Sequence, residues 1–394
     1  MAFETENTLR VSQGVFELHR FPQRPRELLR AWDAADEYIL DFLAENELPA
    51  RDNRVLLVND TFGALAVALS NYEPHALSDS YLSQIATRFN LAANHLPEQS
   101  VILLNSLEKP KGVFDLIIIK APKTLALLED ELIRLSLNMN SASKVIVAGM
   151  VKTLSPSIWK LLERLVGPTT TTLAKKKARL IFASPDADRI LPANPYPVYY
   201  RLENTDYLIA NHANVFSRDS LDMGTRFFLQ YLPTHPDFKE IIDLGCGNGL
   251  VGMIAAELNP EATVHFIDES FMAVASAEEN FHRRFDQNRK AVFSVRDGLM
   301  DVPSDSADLI LCNPPFHQQN SIGNQIAFGM FKQAKRVLRN NGELWVIGNR
   351  HLDYPSYLAR LFGSYSVVAS NSKFIIVKVG QKKDRPVDRD LGQH

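Results

Sequence analysis

Cysteine is scarce. The 394-residue chain has two, Cys246 and Cys312, and no CxxC. That count excludes a disulfide scaffold and a cysteine-rich zinc site, and both thiols are expected free in a reducing compartment. The ten histidines show no HExxH or other paired ligand spacing, so no metal is expected. Long apolar runs are missing as well. Leu116–Ile119 and Val145–Val151 are strand-length, against the ~20 residues of a membrane helix. Met1–Arg20 carries Glu4, Glu6 and Glu17 with no apolar core, so it does not read as a signal peptide. A cytoplasmic monomer with no membrane partner is the expectation. Charge of one sign is lacking too: 43 Lys+Arg face 46 Asp+Glu, for a net charge of -3. Residues 1–200 hold 22 basic and 23 acidic side chains and residues 201–394 hold 21 and 23, so any contact with nucleic acid must come from a local patch.

What is present is an ordinary globular composition, 45% apolar and 23% charged, at a length that suits two domains. Short β-branched runs alternate with amphipathic stretches, the pattern of βαβ units and a mostly parallel sheet. In the second half strands are expected at Ile241–Leu244, Val264–Ile267, Val292–Val295, Leu309–Cys312 and Glu343–Ile347. Helices are expected at Leu221–Tyr231, Leu250–Leu258, Phe271–Phe285 and Gln325–Leu338, and a hairpin from Ser366–Ala369 and Phe374–Val379. Self-comparison reveals a duplication. Val55–Gly63 (VLLVNDTFG) aligns with Ile241–Gly249 (IIDLGCGNG), Asp79 with Asp268, and Asp115–Pro122 (DLIIIKAP) with Asp308–Pro315 (DLILCNPP), at offsets of 186, 189 and 193. Pro185, Pro192, Pro195 and Pro197 crowd the boundary, and Tyr199–Arg201 with Tyr207–Ala210 reads as a hairpin beyond it. The expected domains are 1–190 and 198–380, followed by a polar tail, 381–394.

The copies differ in their chemistry. Asp243-Leu-Gly245-Cys246-Gly247-Asn248-Gly249 follows a strand and opens a helix, and its glycines allow a positive φ and a close ligand approach. Asp268 comes 19 residues after Gly249, at the end of the next strand, where a doubly wound sheet places an acid against a ribose. Asp297, with Gly298, follows the third strand and is placed to accept from an adenine amino group. A dinucleotide loop competes, but that pattern is GxGxxG and cradles a pyrophosphate. Here the spacing is GxGxG with Asp243 two residues ahead, which suits a cationic ligand, S-adenosylmethionine (SAM). In the first copy Asn59 and Thr61 stand opposite Gly245 and Gly247, and only Gly63 matches Gly249.

Asn313-Pro314-Pro315-Phe316 follows the strand Leu309–Cys312. A planar exocyclic amine is a poor nucleophile because its lone pair is delocalised into the ring. The Asn313 oxygen and the Pro314 carbonyl can each accept one of its N–H groups and favour rehybridisation. The prolines hold the backbone, and Phe316 can stack on a base for about 1–3 kcal/mol. No general base is needed, because the amine acidifies as the carbon–nitrogen bond forms. His317 reads as a rim residue able to touch substrate. The motif alone leaves adenine N6, guanine N2 and a glutamine amide open as acceptors.

Several stretches carry a family resemblance: Asn211–Gly224 (NHANVFSRDSLDMG), Ile242–Gly249, Asp268-Glu269-Ser270, Asn313–Gln319 (NPPFHQQ) and Gly348–Tyr354 (GNRHLDY). Over about residues 10–380 the chain resembles the tandem-domain bacterial ribosomal RNA guanine-N2 methyltransferases. In the first half Ala31–Tyr38, Asn59–Leu65, Lys120–Leu128 and Gly167–Leu180 resemble the large-subunit, 23S rRNA members rather than the 16S ones. The resemblance implies an α/β fold of two tandem class I, Rossmann-like methyltransferase domains. Each would have a mostly parallel sheet with a terminal β-hairpin, and the N-terminal copy would be degenerate. It implies methyl transfer from SAM to N2 of one guanine in 23S rRNA. Asp243, Gly245, Cys246, Gly247, Asn248, Gly249, Asp268, Glu269, Asp297 and Gly298 would be the cofactor residues, and Asn313, Pro314 and Phe316 the amine clamp. A 16S rRNA enzyme, an enzyme acting on protein glutamine or DNA adenine, and a non-catalytic RNA-binding assembly protein are the alternatives.

The first copy, without a cofactor loop, is expected to be a scaffold or an RNA-binding surface. Lys152–Arg179 holds seven basic residues against Glu163 alone. Lys175, Lys176, Lys177 and Arg179 are the candidates for phosphate contact. Arg218, in Phe216–Arg218, is a candidate lid over the second copy's site, with Ser217 or Asp219 as the competing helix cap.

Overall fold

The structure, a computed structural model, describes residues 7–23, 27–315 and 321–381, with the backbone alone at 321–324. The chain divides into two compact units, one running to Val198 and including Ser270–Met272, the other made of Tyr199–Glu269 and the residues from Ala273 on.

In the first unit a hairpin, β1 (Thr8–Val11) and β2 (Gly14–Glu17), precedes α1 (Ala34–Glu45). Asp33 opens α1 with a capping box: its carboxylate accepts from the Ala35 and Asp36 N–H groups, and Asp36 accepts from the Asp33 N–H, satisfying donors that a first turn leaves open. The rest is β3 (Val55–Val58), α2 (Ala64–Ala68), β4 (His75–Ser78), α3 (Tyr81–Ala93), β5 (Ile102–Asn105), β6 (Leu116–Lys120), α4 (Leu125–Arg134), β7 (Lys144–Met150), α5 (Pro156–Leu165), β8 (Thr169–Thr171) and β9 (Ala178–Ala183). The sheet order is β5-β4-β3-β6-β7-β9-β8, parallel except where β9 meets β7 and β8. All four residues of β3 are buried, the continuous apolar run of a strand covered on both faces.

The second unit begins with the hairpin β10 (Val198–Arg201) and β11 (Leu208–Asn211). It continues through α6 (Met223–Leu229), β12 (Glu240–Leu244), α7 (Leu250–Leu258), β13 (Thr263–Asp268), α8 (Phe271–Arg284), β14 (Ala291–Val295), β15 (Ala307–Cys312), α9 (Ser321–Val337), β16 (Leu338–Asn349), α10 (Tyr354–Phe362), β17 (Ser366–Ser370) and β18 (Phe374–Gly380). Its order is β14-β13-β12-β15-β16-β18-β17, strand for strand that of the first sheet, and β17–β18 is the antiparallel pair expected from the sequence. The repeat extends to a shared polar device. Asp115 accepts from the Arg54 N–H at 2.8 Å, and Asp308 accepts from the Lys239 and Glu240 N–H groups at 2.9 Å each. In both copies this carboxylate fastens the start of the neighbouring central strand.

Most expected elements shift by a residue or two at their ends, and two differences have a structural cause or consequence. The helix expected to reach Leu338 ends at Val337, and Leu338 opens a 12-residue strand. The helix expected at Leu221–Tyr231 is confined to Met223–Leu229 because Asp222 caps it, accepting from the Thr225 N–H at 2.8 Å. Neither Ser217 nor Asp219 does so: the Ser217 hydroxyl donates to the Ser220 carbonyl, and Asp219 receives Arg218.

Candidate active site

Register brings the sequence motifs to one edge of the second sheet. Leu244 pairs with Ile267 on one side and Cys312 on the other, and Asp268 pairs with Val295. The loops after β12, β13, β14 and β15 therefore leave side by side from the carboxyl ends of parallel strands. The sheet reverses direction of growth at β12, the position where open α/β sheets bind ligands.

The glycine loop is tied down by backbone and carboxylate. Gly245 and Cys246 N–H groups donate to the Ile267 carbonyl at 2.8 and 3.0 Å, and the Gly247 N–H donates to Asp268 at 3.0 Å. Its three glycines have φ of 74°, 54° and 76°, and the last two lack a Cβ to different effect. A Cβ on Gly249 would lie 2.8 Å from the Ala277 Cα, so this glycine lets α7 and α8 pack closely. A Cβ on Gly247 would meet nothing within 4 Å, so this glycine faces open space. Asn248 turns away from that space and donates to Asn211 at 2.9 Å, while its carbonyl accepts from Asn280 at 2.9 Å.

Asp243 differs from the sequence expectation of a carboxylate directed at a ligand. It is 2% exposed, and its Oδ2 accepts from the Gly252 N–H at 2.7 Å. Burial pushes its pKa up to about 8. It braces the loop from beneath and caps α7. Burial also raises the thiols of Cys246 and Cys312 above their ordinary value, which suits packing residues. Glu269 follows Asp268 half-buried. Asp297 is half-buried beyond β14, raised by burial and then by Asp301. Gly298, at φ 52°, lies against the Gln333 amide, where a Cβ would sit 2.4 Å from Oε1.

Asn313 directly follows β15. Its Nδ2 donates to the Thr225 Oγ1 at 2.9 Å, while its Oδ1 is buried and accepts from no donor among the described residues. Buried acceptors are nearly always paired, so an unpaired one beside an open glycine loop is ready for a ligand's N–H. Pro314 is buried next to it. Phe316 and His317 lie outside the described residues. Arg218, the candidate lid, donates to the Ala213 carbonyl at 2.9 Å and to Asp219. No sequence motif marks the Thr225 contact, 88 residues away. Among the described residues no His/Cys/Asp/Glu group could hold a metal, and no helix is long and apolar enough to cross a membrane.

The first unit shows which glycine was structural. Gly63, at φ 77°, would place a Cβ 2.8 Å from the Thr87 Cα, the same close helix approach as Gly249. Asn59 keeps the left-handed backbone of Gly245 at φ 64°, which asparagine tolerates. Lys120, opposite Asn313, lies 3.0 Å from Asp33 and 2.5 Å from Asp36. Burial opposes its charge, but the two carboxylates raise its pKa overall. Asp60 accepts from the Ala66 N–H at 2.8 Å, and burial, then the nearby Asp36, push it up to about 7. Of the basic candidates, exposed Lys175 and Lys176 are paired with Asp41 and Glu37 at 2.8 and 2.6 Å. Lys177 is exposed, and Arg179 is half-buried with no partner for Nε among the described residues.

Comparison with known proteins follows the same division. Residues 6–187 match the family described as RLMG N-terminal domain, and residues 206–378 the methyltransferase small domain. The chain is similar to proteins named ribosomal RNA large subunit methyltransferase G. That of Ectopseudomonas mendocina is 48% identical over 366 residues, covering 93% of this chain and 97% of the relative. That of Aeromonas salmonicida is 49% identical over 362 residues, covering 92% and 96%. Among solved structures, the T. thermophilus 16S rRNA N2 methyltransferase, in complex with AdoMet and guanosine, superposes with a TM-score of 0.74. It is 18% identical and covers 95% of this chain and 97% of its own.

Proposed function

The chain belongs to the family of ribosomal RNA large subunit methyltransferase G, and from that premise we propose that it methylates N2 of one guanine in 23S rRNA, using SAM. The observation that carries the acceptor chemistry is the buried Asn313 Oδ1 with no donor among the described residues. The cofactor reading is supported by the open side of Gly247 beside Asp268, where a ligand can lie against backbone. When bound, SAM supplies a methyl group whose carbon–sulfur bond breaks as the carbon–nitrogen bond forms, leaving a neutral thioether and one proton for solvent.

The protein's own part is to hold and exclude. Asp268 receives ribose hydroxyls and keeps Gly247 in place. Asp297, with Gly298, borders the base of the cofactor. Asn313 and the Pro314 carbonyl accept the two N–H groups of guanine N2, and they favour the tetrahedral nitrogen on which positive charge develops. Alignment of two reactants is worth roughly 7–11 kcal/mol and one well-aimed partner for developing charge about 2.7–4 kcal/mol. Together these suffice without a general base. The role proposed for Phe316 is to stack on the extruded base, and for His317 to contact the substrate. A base inside a helix must leave its stack to reach such a clamp.

The first unit serves as the RNA-gripping scaffold through Lys175, Lys176, Lys177 and Arg179, and Arg218 joins the RNA contacts of the second. The ion pairs of Lys175 and Lys176 are compatible with this role. Exposed pairs are worth about 0–1 kcal/mol, so at Lys175 a phosphate can displace Asp41, while the exposed Lys176 ammonium can meet a phosphate without leaving the more enclosed Glu37. The protein would act as a monomer in the cytoplasm, where ribosomal RNA is made in bacteria. Labelled SAM offered to total RNA, total protein and DNA, with Asn313→Ala as control, tests the assignment. Label on guanine N2 of 23S rRNA is expected; label on protein or DNA alone would overturn it.

A further inference from the structure

We propose that Thr225 and Asp222 are positioning residues that set the direction of the Asn313 amide, so that its oxygen and not its NH2 faces the acceptor. The proposal rests on the reading of Asn313 as the clamp for an exocyclic amine.

Three contacts form a polar relay. Asn313 Nδ2 lies 2.9 Å from Thr225 Oγ1, and Thr225 Oγ1 lies 3.3 Å from Asp222 Oδ2. The same Oδ2 accepts from the Thr225 N–H at 2.8 Å, which seats the carboxylate over the first turn of α6. The direction of the relay follows from the chemistry of its end. An ionised carboxylate can only accept, so the Thr225 hydroxyl donates to it. The hydroxyl then presents lone pairs to Asn313, and only the NH2 end of the amide can meet a lone pair. Oδ1 is thereby turned to the other side, where it is buried with no donor among the described residues.

The opposite orientation has two faults. It sets Oδ1 against the Thr225 oxygen, acceptor to acceptor, unless the hydroxyl abandons Asp222. It also points the Asn313 NH2 at the acceptor's NH2, donor to donor, where nothing can be held. An amide on a flexible side chain chooses between two nearly isosteric orientations, and only an outside partner can decide. Thr225 supplies that partner from a helix 88 residues earlier in the chain. A plain capping role for Asp222 explains its contact with the Thr225 N–H. It does not explain why the hydroxyl of the same threonine joins Asn313.

Thr225→Val keeps the shape and removes the hydroxyl, while Thr225→Ser keeps the hydroxyl. In the full-length protein acting on 23S rRNA, Thr225→Val should lower kcat about 10- to 100-fold, the scale of a misplaced reacting group. KM for rRNA and the calorimetric SAM affinity should stay within about twofold of wild type, since a residue that acts through Asn313 affects the reacting geometry and not uniform binding. Thr225→Ser should restore most of kcat, and Thr225→Val should shift the Asn313 side-chain amide resonance, assigned by its loss in Asn313→Ala. Asp222→Asn retains an oxygen for the Thr225 N–H but no longer dictates the hydroxyl's direction, so a smaller fall in kcat is expected. It carries the test alone if the valine variant melts early. Wild-type kcat in Thr225→Val and Asp222→Asn would overturn the relay, as would a kcat in Thr225→Ser as low as in Thr225→Val. Loss of turnover in Asn313→Ala alongside normal turnover in Thr225→Val defeats the relay alone; normal turnover in Asn313→Ala defeats the clamp reading itself.

Discussion

Two glycines two residues apart should fail in different ways when given a methyl group. Gly247 and Gly249 both have positive φ, 54° and 76°, so alanine at either costs about 1–2 kcal/mol of backbone strain. For Gly247 nothing is added to that, because its Cβ would meet nothing within 4 Å. For Gly249 the new carbon would stand 2.6 Å from the Ala277 Cβ and 2.8 Å from its Cα, closer than packed carbons approach. Because the obstacle includes backbone, α7 and α8 must part, and overpacking of this kind costs about 1–3 kcal/mol more. At about 2–4 °C per kcal/mol for a domain of this size, Gly247→Ala should lower Tm by a few degrees and Gly249→Ala by distinctly more. Ligand binding should rank them the other way relative to their folding cost. Gly247→Ala fills the space assigned to SAM and should weaken binding about tenfold or more, equivalent to about 1.4 kcal/mol. Thermal melts and calorimetric titration with SAM measure both quantities. If Gly247→Ala bound SAM as tightly as wild type, or melted below Gly249→Ala, the division of labour between the two glycines would be wrong.

Asn313→Ala should keep SAM affinity and lose turnover by about 100-fold or more, whereas Asp268→Ala should lose SAM affinity first; calorimetry and single-turnover assays separate the two. Neutralising Lys175, Lys176, Lys177 and Arg179 together should weaken RNA binding and flatten its dependence on salt; unchanged binding across a salt series would remove these residues from the RNA-contacting surface. The Asp243 carboxyl, at about 8 in the folded protein against an ordinary 3.8, makes the native state bind the extra proton between those values. Its stabilising contribution is therefore complete below the unfolded value and is lost as pH rises through the folded one. Asp243→Asn keeps an oxygen for the Gly252 N–H. Its Tm should gain on wild type between about pH 5 and pH 8, and a constant difference over that range would show that Asp243 does not titrate there.

Much of the second unit was legible because its signals are local. The glycine loop, the strand-end acids and Asn313-Pro314 are contiguous motifs, and α7 was expected with its observed ends because Gly249 and the apolar run mark both of them. Other features depend on partners far along the chain. No spacing pairs Asn313 with Thr225. Counting charge over Lys152–Arg179 could not reveal that Lys175 and Lys176 meet Asp41 and Glu37 on α1. The buried attitude of Asp243 depends on Gly252, which lacks the Cβ that would otherwise lie 3.0 Å from the carboxylate. The helix α10 has no such local signal, because it opens on Tyr354-Pro355, a pair that reads as a turn.

The ion cluster around Lys120 bears on the history of the first half. Restoring glycine at positions 59 and 61 would not reawaken it, because the lysine opposite Asn313 is held by Asp33 and Asp36. Changing Lys120 back alone would leave the buried Asp36 without its ammonium partner, a defect that costs up to about 3–5 kcal/mol, while Asp33 keeps its bonds to the first turn of α1. Changing either acid first leaves the ammonium short of a partner. No single mutational step leads back without a penalty to folding. The loss of chemistry in that half has become a ratchet, enforced by electrostatics rather than by the number of residues that have drifted.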